Sequence, residues 1–97
     1  MQYRISQKAA EDLENIWLYT FQNWSLEQAD KYLNILWDEI AHLAQHPETG
    51  KNYYHIKEQY RCAKVKSHLI FYKISTTNIE IIRVLHQKMD IINRLME

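Results

Sequence analysis

The sequence has few residues that break or cross-link a chain: one Gly, one Pro and one Cys among 97 residues. The single Gly and Pro argue against a flexible linker and against a glycine-rich phosphate loop. A lone Cys excludes an internal disulfide, so Cys62 is expected to be a small hydrophobic residue of the core. No apolar run approaches the roughly 20 residues of a membrane-spanning helix, and no signal-peptide pattern opens the chain. We therefore expect a cytoplasmic protein with no membrane partner, built as one domain over residues 1–97.

The net charge of zero conceals two halves of opposite charge. Residues 1–50 hold three cations and eight anions, a net charge of −5, and residues 51–97 hold nine cations and four anions, a net charge of +5. The basic half favours an acidic partner or a nucleic acid, unless the two halves simply attract each other in the fold. Its cations could bind phosphate and its aromatics could stack on bases, as in a nucleic-acid groove. The alternative is an ordinary solvated sheet edge, with Tyr72 in the core. These cations and aromatics are Lys51, Tyr53, Tyr54, His55, Lys57, Tyr60, Arg61, Lys64, Lys66, His68, Tyr72, Arg83, His86 and Lys88.

Hydrophobic periodicity predicts two consecutive helices followed by three strands. The predicted elements are a strand at 2–5, helices at 7–23 and 26–45, strands at 60–66, 68–75 and 79–86, and a final helix at about 91–96. The three late strands are joined by tight turns and should form an antiparallel meander. We therefore predict an α+β fold of order β-αα-βββ-α, with an antiparallel helical hairpin packed on one face of a small antiparallel sheet.

Local signals fix the ends of these helices. Ser6 is placed as the N-cap of the first helix, and Ser25 with Gln28 forms a capping box for the second. The very short connection between them favours an antiparallel hairpin. The stretch HPETGKNYYHIKE at 46–58 contains the Pro and the Gly and is predicted to be a loop, and Asp90 can cap the final helix.

Titratable side chains on the helices give only a weak signal for chemistry. His42 and His46 are four residues apart, a spacing that can hold a metal ion, but no third ligand lies in an obvious place. Glu11, Asp12 and Glu14 are interpreted as solvated side chains near the favourable end of the helix dipole. We therefore expect no metal, no cofactor and no acid–base pair of carboxylates.

The stretch IRVLHQKMD at 82–90 carries Arg83 and His86 at the end of the last predicted strand. An arginine beside a histidine could cleave a phosphodiester, form a docking surface, or hold the end of a strand. Strand alternation places Ile82, Val84 and His86 on one face and Arg83 on the other. This separation disfavours a shared catalytic site.

Four stretches of the sequence resemble one protein family when they are taken in order. They are YTFQNWSLEQADKYLNIL (19–36), LAQHPETGK (43–51), SHLIFYKI (67–74) and IRVLHQKMD (82–90). Together they are similar to the ParE branch of the RelE/ParE toxin superfamily, the small bacterial toxins of type II toxin–antitoxin modules. The fold that this resemblance implies agrees with the predicted β-αα-βββ-α order.

The resemblance also bears on enzymatic activity. RelE-like members cut messenger RNA on the ribosome with lysines, arginines and a tyrosine, whereas ParE-like members lack that set and are associated with DNA gyrase. The corresponding positions in this sequence are Arg61, Ala63, Leu69, Gln87 and Asn93, so four of the five roles are lost. Each missing proton transfer would cost a nuclease roughly 10²–10⁴-fold in rate. The resemblance therefore implies a non-enzymatic gyrase inhibitor with no catalytic residues.

A second form of the nuclease set relies on histidine. Some RelE relatives use a C-terminal histidine with an arginine on a neighbouring strand, and Arg61, Arg83 and His86 could imitate that arrangement. The opposite faces predicted for Arg83 and His86 argue against it. We instead expect Arg61, Arg83, His86 and Lys88 to contact the target or a partner, or to make strand-end hydrogen bonds.

The resemblance implies a cognate ParD-like antitoxin that folds onto the toxin in a hetero-oligomer. Trp17, Tyr19, Trp24 and Trp37 are many large aromatics for so small a core, and we predict that they line an apolar antitoxin groove. Tyr19 lies well off the apolar stripe of its helix and should be exposed. The alternative is that all three tryptophans belong to the core or a helix staple.

Other functions stay open beside gyrase inhibition. A ribosome-dependent mRNA interferase is motivated by the basic second half, and a degenerate module would bind its antitoxin without toxicity. No direct sequence-specific binding of nucleic acid is expected.

Overall fold

The computed structural model describes residues 2–97 and follows the predicted order of elements with two short additions. The elements are β1 (Gln2–Ile5), α1 (Gln7–Asn23), α2 (Leu26–Gln45), a 3₁₀ helix (Pro47–Thr49), β2 (Lys51–Asn52), β3 (Arg61–Val65), β4 (His68–Ile74), β5 (Asn78–His86) and α3 (Ile91–Leu95). Both long helices begin and end at the predicted residues. Among the residues described, no helix is long and apolar enough to cross a membrane.

The segment at 46–58 is not wholly a loop, because it contains the 3₁₀ helix and β2. β2 pairs antiparallel with β3 at the edge of the sheet, Lys51 opposite Cys62. A strand of two residues is too short to produce the alternation by which strands are predicted from sequence.

The sheet has five strands in the order β1-β5-β4-β3-β2. β3, β4 and β5 form the predicted antiparallel meander, but β1 pairs parallel with β5, Gln2 opposite Asn78 and Ile5 opposite Ile81. Parallel neighbours need a long crossover, and the rest of the fold lies between these two strands in sequence. The predicted antiparallel sheet therefore carries one parallel edge pair.

Serine side chains start both long helices, as predicted. The Ser6 hydroxyl accepts a hydrogen bond from the Ala9 N–H at 3.0 Å, and the Ser25 hydroxyl accepts one from the Gln28 N–H at 3.1 Å. Each bond satisfies a backbone donor that has no partner within the helix.

Two apolar layers cover the two faces of the sheet. The larger layer lies between the sheet and the α1–α2 hairpin, and it is built from Ala9, Leu13, Leu36, Ile40, Leu43, Ala44, Val65, Ile70, Tyr72, Ile79, Ile81 and Val84. The smaller layer contains Cys62, Phe71, Leu85 and Leu95, with Leu95 supplied by α3. Cys62 and Tyr72 are therefore core residues, as predicted.

A β-bulge in β5 changes the predicted alternation of side chains. Phe71 lies opposite Arg83 while Tyr72 lies opposite Ile81, so Ile82 is an extra residue in β5. As a result Ile81 and Val84, three residues apart, both pack in the larger layer. The prediction that Ile82 shares a face with Val84 is wrong for this reason.

Tyr72 fastens the end of α2 to the sheet. Its hydroxyl donates a hydrogen bond to the Pro47 carbonyl at 2.6 Å and accepts one from the Gly50 N–H at 3.0 Å. A Cβ atom at residue 50 would collide with this hydroxyl and with the ring. Gly50 has an ordinary φ of −68°, so the close approach of Tyr72, not an unusual backbone conformation, requires glycine here.

Candidate functional site

Arg83 is buried in the fold and its hydrogen bonds are internal. The residue is 7% exposed, and its Nε and Nη2 donate to the two carboxylate oxygens of Asp12 at 2.8 and 3.0 Å. Its Nη1 donates to the Arg94 carbonyl at 2.8 Å and to the Glu97 carboxylate at 2.9 Å. The hydrogen bonds to Asp12, and then to Glu97, raise the pKa of Arg83 above its ordinary value despite burial. This guanidinium joins α1, β5 and the C-terminal segment through hydrogen bonds within the chain.

Asp12 has a second role at the same place. Its Oδ2 accepts a hydrogen bond from the Val84 N–H at 2.9 Å, beyond the point where β1 stops pairing with β5 at Ile81. The carboxylate thus satisfies an edge donor that no strand covers. The expectation that Asp12 is a solvated helix residue is wrong, since its side chain is 13% exposed.

His86 is paired with His68 across β4 and β5. The two residues are register partners, and their ring centroids are 5.2 Å apart in an edge-to-face arrangement. The His68 Nδ1 is 2.5 Å from the Tyr32 hydroxyl on α2, and the His86 Nδ1 accepts the Lys88 N–H at 3.1 Å. Burial, with a smaller contribution from His86, lowers the pKa of His68 from 6.5 to about 4, so its ring is neutral at pH 7. These contacts place His86 on the helix-facing side of the sheet, whereas Arg83 lies opposite Phe71 of the other layer.

Tyr32, His68 and His86 border a cavity of about 380 Å³ between the helical hairpin and one end of the sheet, here called the histidine cavity. Its lining combines apolar and aromatic side chains of the helical hairpin with two lysines, Lys31 on α2 and Lys66 after β3, and with neutral hydrogen-bonding groups. The lining residues are Ile16, Tyr19, Thr20, Trp24, Gln28, Lys31, Tyr32, Ile35, Lys66, Ser67, His68 and His86. It contains no carboxylate, which makes it suitable for an anionic group.

The four aromatic residues predicted to share one groove are divided between two surfaces. Tyr19 and Trp24, 60% and 67% exposed, border the histidine cavity with ring centroids 6.1 Å apart. Trp17 and Trp37 instead border a depression of about 430 Å³ between α1, α2 and β1, here called the tryptophan groove. Of its other lining residues (Ile5, Ala10, Leu13, Glu14 and Leu33) only Glu14 is charged. Trp17 and Tyr19 point away from each other because residues two apart lie about 200° apart around a helix.

Trp17 is held in place by two contacts. Its ring stacks on Phe21 with centroids 5.3 Å apart, and its Nε1 donates to the Asp30 carboxylate at 2.9 Å. Trp37 packs near Tyr3 of β1, with ring centroids 6.1 Å apart. The two tryptophans of the groove are thus each in contact with a second aromatic ring.

The remaining predicted contact residues lie apart. Arg61 is on β3, two strands from β5, and its Nη2 donates to the Glu48 carbonyl at 3.2 Å. Lys88 is exposed beside His86, in the turn that follows β5. Arg83, His86 and Lys88 border one depression of about 490 Å³, whereas Arg61 lies outside it.

The histidine pair at the end of α2 and the single cysteine were the other candidates for chemistry. The rings of His42 and His46 are 5.0 Å apart, but residues 2–97 contain no group of three or more metal-ligating side chains. Cys62 is buried, and burial raises the pKa of its thiol to about 11, which disfavours a nucleophilic thiolate. The Asn93 side-chain amide donates to the carboxylate of Asp90 at 2.6 Å, and Asp90 is the N-cap of α3.

Several residues of the histidine cavity were not predicted as site residues. Lys66 and His68 were among the basic residues of the second half, and Lys31 and Tyr32 carried no signal at all. The positions of Tyr19 and Trp24 in the sequence do not reveal which strand end lies next to them in the fold.

Comparison with known proteins gives a consistent result over most of the chain. The model of the family described as "ParE toxin of type II toxin-antitoxin system, parDE" matches residues 3–91. The chain is 41% identical over 88 residues to Toxin ParE1 of Caulobacter vibrioides, covering 91% of each protein. It is 37% identical over 90 residues to Toxin ParE1 of Mycobacterium tuberculosis, covering 92% of each. A chain of the chromosomal ParDE TA system from P. aeruginosa has the same fold, with a TM-score of 0.79 at 19% identity, over 89% of this chain and 95% of that one.

Proposed function

Because the chain belongs to the ParE toxin family of type II toxin–antitoxin systems, we propose that it inhibits DNA gyrase by binding and is neutralised by a ParD-like antitoxin. The observation that carries this proposal is the family match over residues 3–91. The proposed site of action is the bacterial cytoplasm, where gyrase and its DNA are found.

Exposed aromatic surfaces support an antitoxin partner. The histidine cavity exposes Tyr19 and Trp24, and the tryptophan groove is lined almost entirely by apolar side chains. Large exposed aromatics on a small monomer mark a surface that a partner covers. An antitoxin segment that folds on binding can wrap around α1 and cover both surfaces. The test is to co-express the chain with the product of the adjacent reading frame, where a stable complex and restored growth are expected.

The engagement of the arginines supports action by binding. Arg83 donates to Asp12, Arg94 and Glu97, and Arg61 donates to Glu48 on the other side of the sheet. The hydrogen bonds of both guanidinium groups go to other parts of this chain, so neither arginine is held against the His86 imidazole as a catalytic pair would be. We propose His86 and Lys88, at the accessible end of β5, as the target contacts among the four predicted residues.

One observation favours a second candidate, a ribosome-dependent mRNA interferase. The rings of His68 and His86 lie 5.2 Å apart in a cavity that also contains Lys31 and Lys66. Two imidazoles with nearby ammonium groups are a chemically suitable set for RNA cleavage. A translation extract distinguishes the candidates, since gyrase inhibition leaves messages intact. Codon-phased cleavage that His86→Ala abolishes would replace our proposal with this one.

A further inference from the structure

We propose that the histidine cavity accepts an acidic side chain of the antitoxin, while a neighbouring large apolar residue of the same segment packs against Tyr19 and Trp24. This inference rests on the proposed function and names the chemistry by which the antitoxin is recognised. It concerns one surface of the toxin, which can be tested separately from antitoxin binding as a whole.

The charges of the cavity are the first support. Lys31 and Lys66 contribute to its lining, which contains no Asp or Glu. The ion pairs found among residues 2–97 use Lys73 and Arg83 as their cations, so neither cavity lysine is neutralised by a carboxylate of this chain. A carboxylate entering the cavity would gain Coulomb attraction from both in a partly enclosed site.

The backbone at Lys66 is the second support. Lys66 and Ser67 form the two-residue turn between β3 and β4, and Lys66 has a φ of +53°. Such turns favour Asn or Gly, and a left-handed conformation costs another residue about 1 kcal/mol or more. The turn therefore holds the Lys66 side chain at the mouth of the cavity in a conformation that Asn would adopt at lower cost.

The positive potential of the cavity comes from its lysines, because His68 is neutral at pH 7. With its pKa at about 4, His68 contributes hydrogen bonding and no charge at pH 7, and it is held by the Tyr32 hydroxyl. The two ammonium groups are therefore the main source of the positive potential. We expect antitoxin binding through this site to weaken with increasing salt, because the lysines are accessible to solvent ions.

The apolar wall supplies the second part of the match. Ile16 and Ile35 line the cavity together with the aromatic pair of Tyr19 and Trp24. Side chains of this kind bury a leucine or phenylalanine well. An acidic residue beside a large apolar residue matches both parts of the cavity at once.

Charge reversal tests this site in the intact toxin. Lys31→Glu and Lys66→Glu are titrated by calorimetry against the purified product of the adjacent reading frame, beside Lys51→Glu as the control. Lys51 is exposed on β2 at the far edge of the sheet and undergoes the same change of charge. Each cavity variant should lose about tenfold or more in affinity and should bind with a weaker salt dependence. The control should stay within about twofold of the unaltered toxin.

The Lys66→Asn variant separates the loss of the ammonium group from the effect of the residue on the turn. Asn tolerates the left-handed conformation and removes the charge, so this variant should unfold at higher urea while binding the antitoxin more weakly. Unchanged affinity in both Lys→Glu variants, with normal binding by the unaltered toxin, would overturn the cavity assignment and leave the proposed function standing. Failure of the unaltered toxin to bind would overturn both. Displacement of the antitoxin by a short single-stranded oligonucleotide, abolished by the same variants, would instead assign the cavity to phosphate.

Discussion

Asp12 on α1 binds both the side chain of Arg83 and the backbone of the next residue of β5. The carboxylate accepts two hydrogen bonds from the guanidinium and one from the Val84 N–H, all between 2.8 and 3.0 Å. Removing Asp12 leaves the buried guanidinium with only the more exposed Glu97 as a carboxylate partner and leaves the Val84 N–H without its acceptor, and breaking a buried ion pair typically costs about 3–5 kcal/mol. We therefore expect Asp12→Ala to lower the free energy of unfolding by about this amount in urea denaturation.

A neighbouring residue and a double variant provide the controls. Glu11 is exposed on the same turn of α1, and Glu11→Ala should change stability by less than about 0.5 kcal/mol. Asp12→Leu combined with Arg83→Met should lose much less than Asp12→Ala, because no buried charge remains unpaired. Equal losses from Glu11→Ala and Asp12→Ala would contradict the role given to this ion pair.

His68 makes stability depend on pH. Its pKa falls from 6.5 to about 4 in the folded protein, so below pH 6.5 the unfolded chain binds a proton that the folded chain does not. Stability should therefore decrease as the pH falls from 6.5 to about 4 and this contribution should level off below that. Allowing for solvent screening, the loss should be about 1–2 kcal/mol.

Removing the imidazole checks the source of this dependence. His68→Gln should flatten the profile of unfolding free energy against pH over that window, since Gln does not titrate. His46→Gln changes an exposed histidine and controls for the loss of one ionisable ring. If the free energy of unfolding still falls with falling pH in His68→Gln as it does in the unaltered protein, the pH dependence arises from other groups.

Gly50 is required by the position of Tyr72. Gly50→Ala places a methyl group against the Tyr72 hydroxyl and ring, and overpacking of this kind costs about 1–3 kcal/mol. In the Tyr72→Phe background the hydroxyl is gone, so the additional cost of Gly50→Ala should be smaller. Thermal unfolding of the four proteins measures this coupling, and strictly additive losses would show that the two residues do not collide.

Tyr19 and Trp24 should matter for binding more than for folding. Both are more than half exposed, so Trp24→Ala should change the free energy of unfolding by less than about 1 kcal/mol. Its affinity for the antitoxin should fall by about 2 kcal/mol or more, as for an aromatic hot spot. Leu18→Ala, an exposed apolar residue of α1 that lines neither surface, should leave the affinity unchanged. Equal effects of Leu18→Ala and Trp24→Ala on affinity would contradict the proposed surface.

The features that local sequence determines were predicted well. The Ser6 and Ser25 caps and the apolar stripes set the ends of α1 and α2, and the tight turns set the order of the meander. The bulge at Ile82, the parallel pairing of β1 with β5 and the burial of Asp12 were not predicted. Each depends on which distant segment lies alongside, and periodicity within one element carries no such information.

The candidate site was predicted only in part. Tyr19 was expected to be exposed from its position on the helix, and this is confirmed, but the same reasoning should have separated Tyr19 from Trp17. Arg83 was selected because it is a cation at a strand end, yet its partners lie in α1 and at the C-terminus. Whether Arg61, His86 and Lys88 contact gyrase stays a prediction.

The central claim is that this toxin stops gyrase by binding and not by catalysis. The most direct measurement is a supercoiling assay in which purified gyrase is titrated with the toxin at several incubation times. We predict inhibition that saturates with the ratio of toxin to gyrase, that traps cleaved DNA, and that prior addition of the antitoxin prevents. Full supercoiling activity at every ratio, or a loss of activity that continues to grow with time at trace toxin, would contradict the account.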